Sequence, residues 1–208
     1  RLNAIGRGET SVHGWKIGST GLQECLDQCT QAIGWSEKRQ RPKAVGRKRR
    51  GVGVAAAMHV SGNRTIGNWD GSTVLVKIGE DGRVLVNSAE ADAGQGAMTM
   101  LAQVVAHELN LPLSHVHVLQ PDTDTSPFAI GALASRVTIV AGNAAIVAAR
   151  NARAKLFELA ASKLGAAMDD LEIADGAVRV KGAPERHATL AALAREHIWR
   201  HGGHEILV

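Results

Sequence analysis

Asp92-Ala93-Gly94-Gln95-Gly96, followed by Thr99, and further on Gly131-Ala132-Leu133-Ala134-Ser135-Arg136 are two small-residue turns, each opening a long helical pattern. Between them lie one strand and a polar loop, Gln120 to Ser126. That order predicts two helix N-termini at one site. The first N–H groups of a helix have no partner inside it, and its dipole favours negative charge there. Glycine lets a bulky ligand lie directly on the backbone. Gln95 offers a side-chain amide, and Ser135 a hydroxyl where a helix N-cap belongs. The residues therefore predict a site for a large, phosphate-bearing cofactor.

Outward from this pair, Ala97 to Leu109 carries Leu101, Val104, Val105 and Leu109 on one helical face, and Pro112 closes it. His115 to Leu119 reads as a strand with Val116 and Val118 on one side. The loop from Gln120 to Ala134 is about fifteen residues long, and loops of that length inside compact domains usually carry function. Ser135 then opens a helix reaching about Leu164, rich in Ala, Lys, Glu and Leu. Upstream, Ser72 to Ile78 and Arg83 to Ser88 form a predicted hairpin around Glu80-Asp81-Gly82. Gly51 to Val60, small and apolar, reads as a buried strand. Downstream, Leu171 to Ile173 and Ala177 to Val180 flank Asp175-Gly176 as a second hairpin. A last helix runs from Thr189 to Trp199, with Leu190, Leu193, Ala194 and His197 on one face. Near the start, Leu22 to Ile33 has helical spacing and ends at Gly34. The fold class is α/β: mixed sheets with helices packed on them, strand order unfixed.

The chain has 208 residues, 45% hydrophobic and 21% charged, which is globular composition rather than disorder. Aromatics are only 3%, with no Tyr, so the core rests on Ala, Val, Leu and Ile. No apolar run reaches eighteen residues, and Arg1-Leu-Asn-Ala-Ile5 is no signal peptide. Cys25 and Cys29 share one side of a helix and read as structural, reduced thiols rather than a disulfide framework or metal site. The net charge of +4 owes much to the basic residues from Lys38 to Arg50. A nucleic-acid patch is the sharp reading. The run holds Pro42 and Gly46 and no aromatics, which favours a solvated linker or a face toward an acidic partner.

Several motifs yield to plainer readings. Gly94-Gln95-Gly96 is no dinucleotide fingerprint, because Thr99 stands at the third glycine position. His107-Glu108 begins like a zinc-protease motif, but Leu111 replaces the second histidine. His197 and His201, with His204 nearby, lack a convincing further ligand. Asp122 and Asp124 read as Asx-turn caps before metal carboxylates. Ser135 lacks the Gly-x-Ser-x-Gly elbow of a hydrolytic nucleophile.

Taken together, Asp92-Ala-Gly-Gln-Gly-x-x-Thr99, Gln103, Asp122-Thr-Asp-Thr125, Pro127, Ala134-Ser-Arg136 and Gly142-Asn-Ala144 resemble the molybdenum-binding subunit of the xanthine oxidase family. The pattern looks most like the large (alpha) subunit of 4-hydroxybenzoyl-CoA reductase. The resemblance implies a molybdenum-dependent oxidoreductase holding molybdopterin cytosine dinucleotide. Iron–sulfur clusters and FAD would sit on partner domains or subunits. It implies Gly94, Gln95, Gly96, Ala134, Ser135 and Arg136 as cofactor-binding positions, with no protein atom bound to the metal. Thr65 falls near the approach to the substrate pocket, though a turn residue is the plainer reading. The family's catalytic glutamate belongs to a later segment, and Glu205 stands in the wrong context for it. The chain thus reads as a fragment, inactive alone, in which residues 1–50 end a first molybdenum-binding half and add a basic linker. Residues 51–208 would begin the second half. The implied partners are the rest of the molybdenum subunit, iron–sulfur and flavin subunits and a small-molecule substrate, in the cytoplasm, with no membrane and no nucleic acid. The alternative is a non-catalytic module that binds nucleic acid or an acidic partner through Lys38 to Arg50.

Overall fold

The computed structural model describes residues 1–40, 44–59 and 70–200. It divides into two compact units, Arg1–His59 and Val60–Val208.

The first unit carries helices α1 (Leu22–Ala32) and α2 (Trp35–Gln40) and a two-residue hairpin, β1 (Ala44–Val45) against β2 (Lys48–Arg49). Neither helix buries a residue. Both cysteines are exposed on α1. The segment expected to be linker is thus partly helix and hairpin, with the Arg39 guanidinium over the Trp35 ring at 5.6 Å. The buried strand expected at Gly51 to Val60 is corrected. Residues 51–59 form no strand and are exposed apart from half-buried Val52, because no ladder partner stands beside them among the described residues.

The second unit holds the core. Strands β3 (Val74–Ile78) and β4 (Val84–Ser88) pair antiparallel, and β5 (Val116–Val118) joins β4 in parallel, giving the order β3-β4-β5. A parallel neighbour needs a crossover, and α3 (Ala97–Glu108) supplies it. Alternation drives the sheet: Val74, Val76, Ile78, Val84 and Val86 are buried on one face. A second sheet, β6 (Leu171–Ala174), β7 (Ala177–Val180) and β8 (Ala183–Thr189), is an antiparallel meander ending in α5 (Leu190–Arg200). The β6–β7 hairpin and last helix match expectation, but β8, with its Pro184 and charged residues, does not read as a strand in the sequence.

Helix α4 (Val137–Leu164) packs against α3, β3, β7, β8 and α5. Its core stripe is nearly all alanine: Ala141, Ala145, Ala149, Ala152 and Ala160, with Leu156, are fully buried. Side chains that small let both sheets and two helices approach one axis closely. The opposite face leaves Ile139 and Val147 exposed. Asn110 Nδ2 donates to the Ile173 carbonyl at 2.7 Å, tying the end of α3 to the second sheet.

Candidate functional site

Helices α3 and α4 run side by side in the same direction. Met100 lies against Gly142, and Glu108 against Arg150; both pairs are 42 positions apart. A constant offset means parallel helices in fixed register. Carried back to the start of each helix, it brings their first turns together. The two turns expected to share one site are adjacent.

The first turn is closed on itself. Gly94 and Gly96 have φ of 108° and 82°, and an added Cβ at either would meet nothing within 4 Å. Asp92 Oδ1 accepts from the N–H groups of Gly94 (2.9 Å) and Gly96 (3.1 Å), and Oδ2 from Met98 N–H (3.3 Å). The donors of Gly94 and then Gly96 hold the Asp92 carboxyl below its usual range. The first N–H groups of α3 are therefore not all free, as the sequence suggested: a carboxylate of the chain already sits on them. Gln95 is likewise engaged, its Oε1 accepting from Ala93 N–H (2.7 Å) and its Nε2 donating to the Ala91 carbonyl (2.9 Å).

The second turn is strained. Ala134 and Ser135 are consecutive non-glycine residues with φ of 48° and 55°. The left-handed region costs such residues about 1–2 kcal/mol each and marks functional sites when it persists. The cap of α4 is Arg136, without a side-chain capping bond, so the N-cap expected of Ser135 is corrected: its left-handed backbone sends the hydroxyl elsewhere. Ser135 is exposed and Ala134 buried. Among the described residues, nothing accepts the N–H of either one. Nearby Gly131 (φ 102°) leaves further open space.

Arg136, 1% exposed, anchors this turn. Its Nε donates to Asp70 Oδ1 (2.6 Å), one terminal nitrogen to Glu90 Oε1 (2.9 Å) and the Gly131 carbonyl (3.0 Å), and the other to the Gly71 carbonyl (2.8 Å) and Ser72 Oγ (2.7 Å). A guanidinium has five N–H donors, and all are spent on the protein. Arg136 as a direct cofactor ligand is corrected on that ground. The hydroxyl of Ser72 in turn donates to Glu90 Oε1. Glu90, itself 1% exposed, keeps its second oxygen buried with no donor among the described residues.

Sequence reasoning missed Asp70, Ser72 and Glu90, and quoted Asp92 without assigning its carboxylate a role. A signal for Glu90 was there, since Val84, Val86, Ser88 and Glu90 share the period-two buried face. The loop between the turns is ordered by Asp122, whose Oδ1 accepts from the N–H groups of Asp124 (2.8 Å) and Thr125 (3.2 Å). That is the Asx-turn reading. Ala129 bridges Ser72, and Thr73 N–H donates to the Phe128 carbonyl, so the loop's end joins β3. Thr65, His201, His204 and Glu205 lie outside the described residues. Among those described, no group of three or more His, Cys, Asp or Glu side chains is placed to hold a metal ion, and no helix is long and apolar enough to cross a membrane.

Comparison with known proteins bears on this site. A family model described as a molybdopterin cofactor-binding domain matches residues 28–206. The xanthine dehydrogenase molybdenum-binding subunit of Escherichia coli O157:H7 is 34% identical over 187 residues, covering 88% of this chain and 25% of that protein. The carbon monoxide dehydrogenase large chain of Afipia carboxidovorans is 30% identical over 195 residues, covering 87% and 24%. Among solved structures, quinoline 2-oxidoreductase from Pseudomonas putida 86 superposes with a TM-score of 0.61 at 27% identity, over 95% of this chain and 26% of that one. The chain spans about a quarter of the length of these relatives.

Proposed function

The chain belongs to the molybdopterin cofactor-binding domains of the xanthine oxidase family, and on that premise we propose that it is the cofactor-cradling segment of a longer molybdenum-dependent oxidoreductase. The observation that carries this reading is the pair of turns at the joined starts of α3 and α4. Both are open at glycine, and one presents the unpartnered N–H groups of two strained residues. This donor set of peptide N–H and hydroxyl suits the phosphate and pterin edges of a dinucleotide and offers no cage for a bare metal ion.

In this reading the backbone of Gly94, Gln95, Gly96, Ala134 and Ser135 lines the cofactor. The Gln95 amide, folded onto Ala91 and Ala93, fixes the first turn's peptide planes. The bound group supplies the two-electron chemistry at carbon, and the protein supplies position. We propose the cytosine dinucleotide form, with electrons leaving to iron–sulfur and flavin partners. The substrate is proposed to be a small nitrogen heterocycle, supported by the xanthine and quinoline named for two relatives. The Asp122-Thr-Asp-Thr125 likeness supports an aromatic acyl-CoA instead, and the same assay separates the two.

The test is the full-length protein purified with its accompanying subunits. Molybdenum near one per chain, with CMP released on denaturation, is the expected result. Neither metal nor nucleotide, from cells shown to make the cofactor, overturns the reading. Turnover of quinoline or xanthine against 4-hydroxybenzoyl-CoA then decides the substrate.

A further inference from the structure

We propose that Arg136 is a positioning residue: its ion pair with Glu90 holds the peptide of Ala134–Ser135 in its left-handed conformation, and cofactor retention depends on that clamp. This rests on the cofactor reading above. Three observations carry it.

The first is adjacency. Arg136 follows directly on two non-glycine residues of positive φ. Such a pair persists only where its surroundings over-determine it. The side chain of the next residue is pinned at five points, to Asp70, Gly71, Ser72, Glu90 and Gly131. Gly131 lies on the far side of the turn, so the bond to its carbonyl closes the loop 131–136 on itself.

The second is reach. Glu90 stands two residues before Asp92, whose carboxylate organises the first turn. One ion pair thus references both turns to each other, across 46 positions of sequence.

The third is the cluster's poor fit to a purely stabilising role. Two carboxylates face one guanidinium, and Glu90 Oε2 is buried without a donor among the described residues. Well-packed apolar side chains commonly stabilise a core as well as a buried ion pair does. Here the planar fork of Arg supplies fixed directions, which lysine cannot reproduce.

The experiment uses the full-length protein with its partner subunits, reading molybdenum and released nucleotide per folded chain. Arg136→Lys is expected to lower cofactor content at least tenfold. Adding Ala134→Gly and Ser135→Gly in that background removes the strain the clamp opposes, and is expected to restore at least threefold of the loss. A merely structural Arg136 would not be rescued by glycine. Should Arg136→Lys fail to fold, Glu90→Gln breaks the ion pair while keeping the acceptor, and the same glycine pair is read there. Full cofactor content in the single variant, or no recovery with the glycines, overturns the clamp. An unmodified protein without molybdenum overturns the cofactor reading itself, so the two failures are distinct.

Discussion

Glu108 on α3 and Arg150 on α4 meet in a two-pronged ion pair, Oε2 to Nε at 2.9 Å and Oε1 to the terminal nitrogen at 3.1 Å. Arg153 adds a bond to the Glu108 carbonyl at 3.2 Å. The fork sits at the far end of the same helix pair whose near end makes the site. It ties α4 to α3 in the same register that Met100 and Gly142 show nearer the site.

Arg150→Ala is therefore expected to lower the melting temperature. The Arg150 hydrogen bond, first among its causes, holds the Glu108 carboxyl below its usual range. A depressed folded-state value stabilises above the unfolded one, near 4.5, and that contribution is lost as pH falls through the lower folded value. The difference between wild type and variant should be widest at neutral pH, and should close in acid and in high salt. A gap that persists in acid would assign the effect to lost packing.

Asp92→Ala should lower the melting temperature by a few degrees, because the N–H groups of Gly94, Gly96 and Met98 lose their acceptor. The same variant should gain more from added sulfate than wild type does, since its freed N–H groups take an external anion. Thermal melts with and without sulfate check both. The contribution of Asp92 should be fully present above the unfolded value of 3.8 and be lost only as pH falls through the lower folded-state value.

Arg136→Met is expected to cost about 3–5 kcal/mol, the range for removing one partner of a buried ion pair. Chemical denaturation of the full-length protein measures it. A loss under 1 kcal/mol would mean that Asp70 and Glu90 find other partners.

Gly82→Ala tests the contact between the first hairpin and the last helix. Gly82 has φ of 83°, and an added Cβ would stand 3.2 Å from the Ala191 N atom. Backbone cannot yield there as a flexible side chain would, so a loss of more than about 1 kcal/mol is expected.

Leu156→Ala, in the fully buried stripe of α4, should cost about 2–5 kcal/mol. Val147→Ala, on the exposed opposite face, should cost far less, and comparing the two identifies the face of α4 that carries the core.

Much of the second unit was legible in the sequence. Alternating valines in β3 and β4, the Asp81-Gly82 and Asp175-Gly176 turns and the long Ala-rich helix each state their structure locally. Adjacency of the two turns was legible because each opened a helix with one strand between. What escaped was contact at long range. Nothing near Arg136 says that its partners lie 46 and 66 positions earlier. Gly51 to Val60 misled because small apolar residues promise burial, and burial needs a neighbour that no single segment names. Ser135 misled because its type suits a cap, while its backbone adopts a conformation that only surrounding restraints impose.

The fixed register of α3 against α4 bears on how this gene segment can change in length. One residue inserted into either helix would turn everything beyond it by about 100°. Arg150 would swing off Glu108, and the alanine stripe would rotate out of the core. Insertions and deletions among homologous sequences should therefore be absent from α3 and the first half of α4, which diverge by substitution alone.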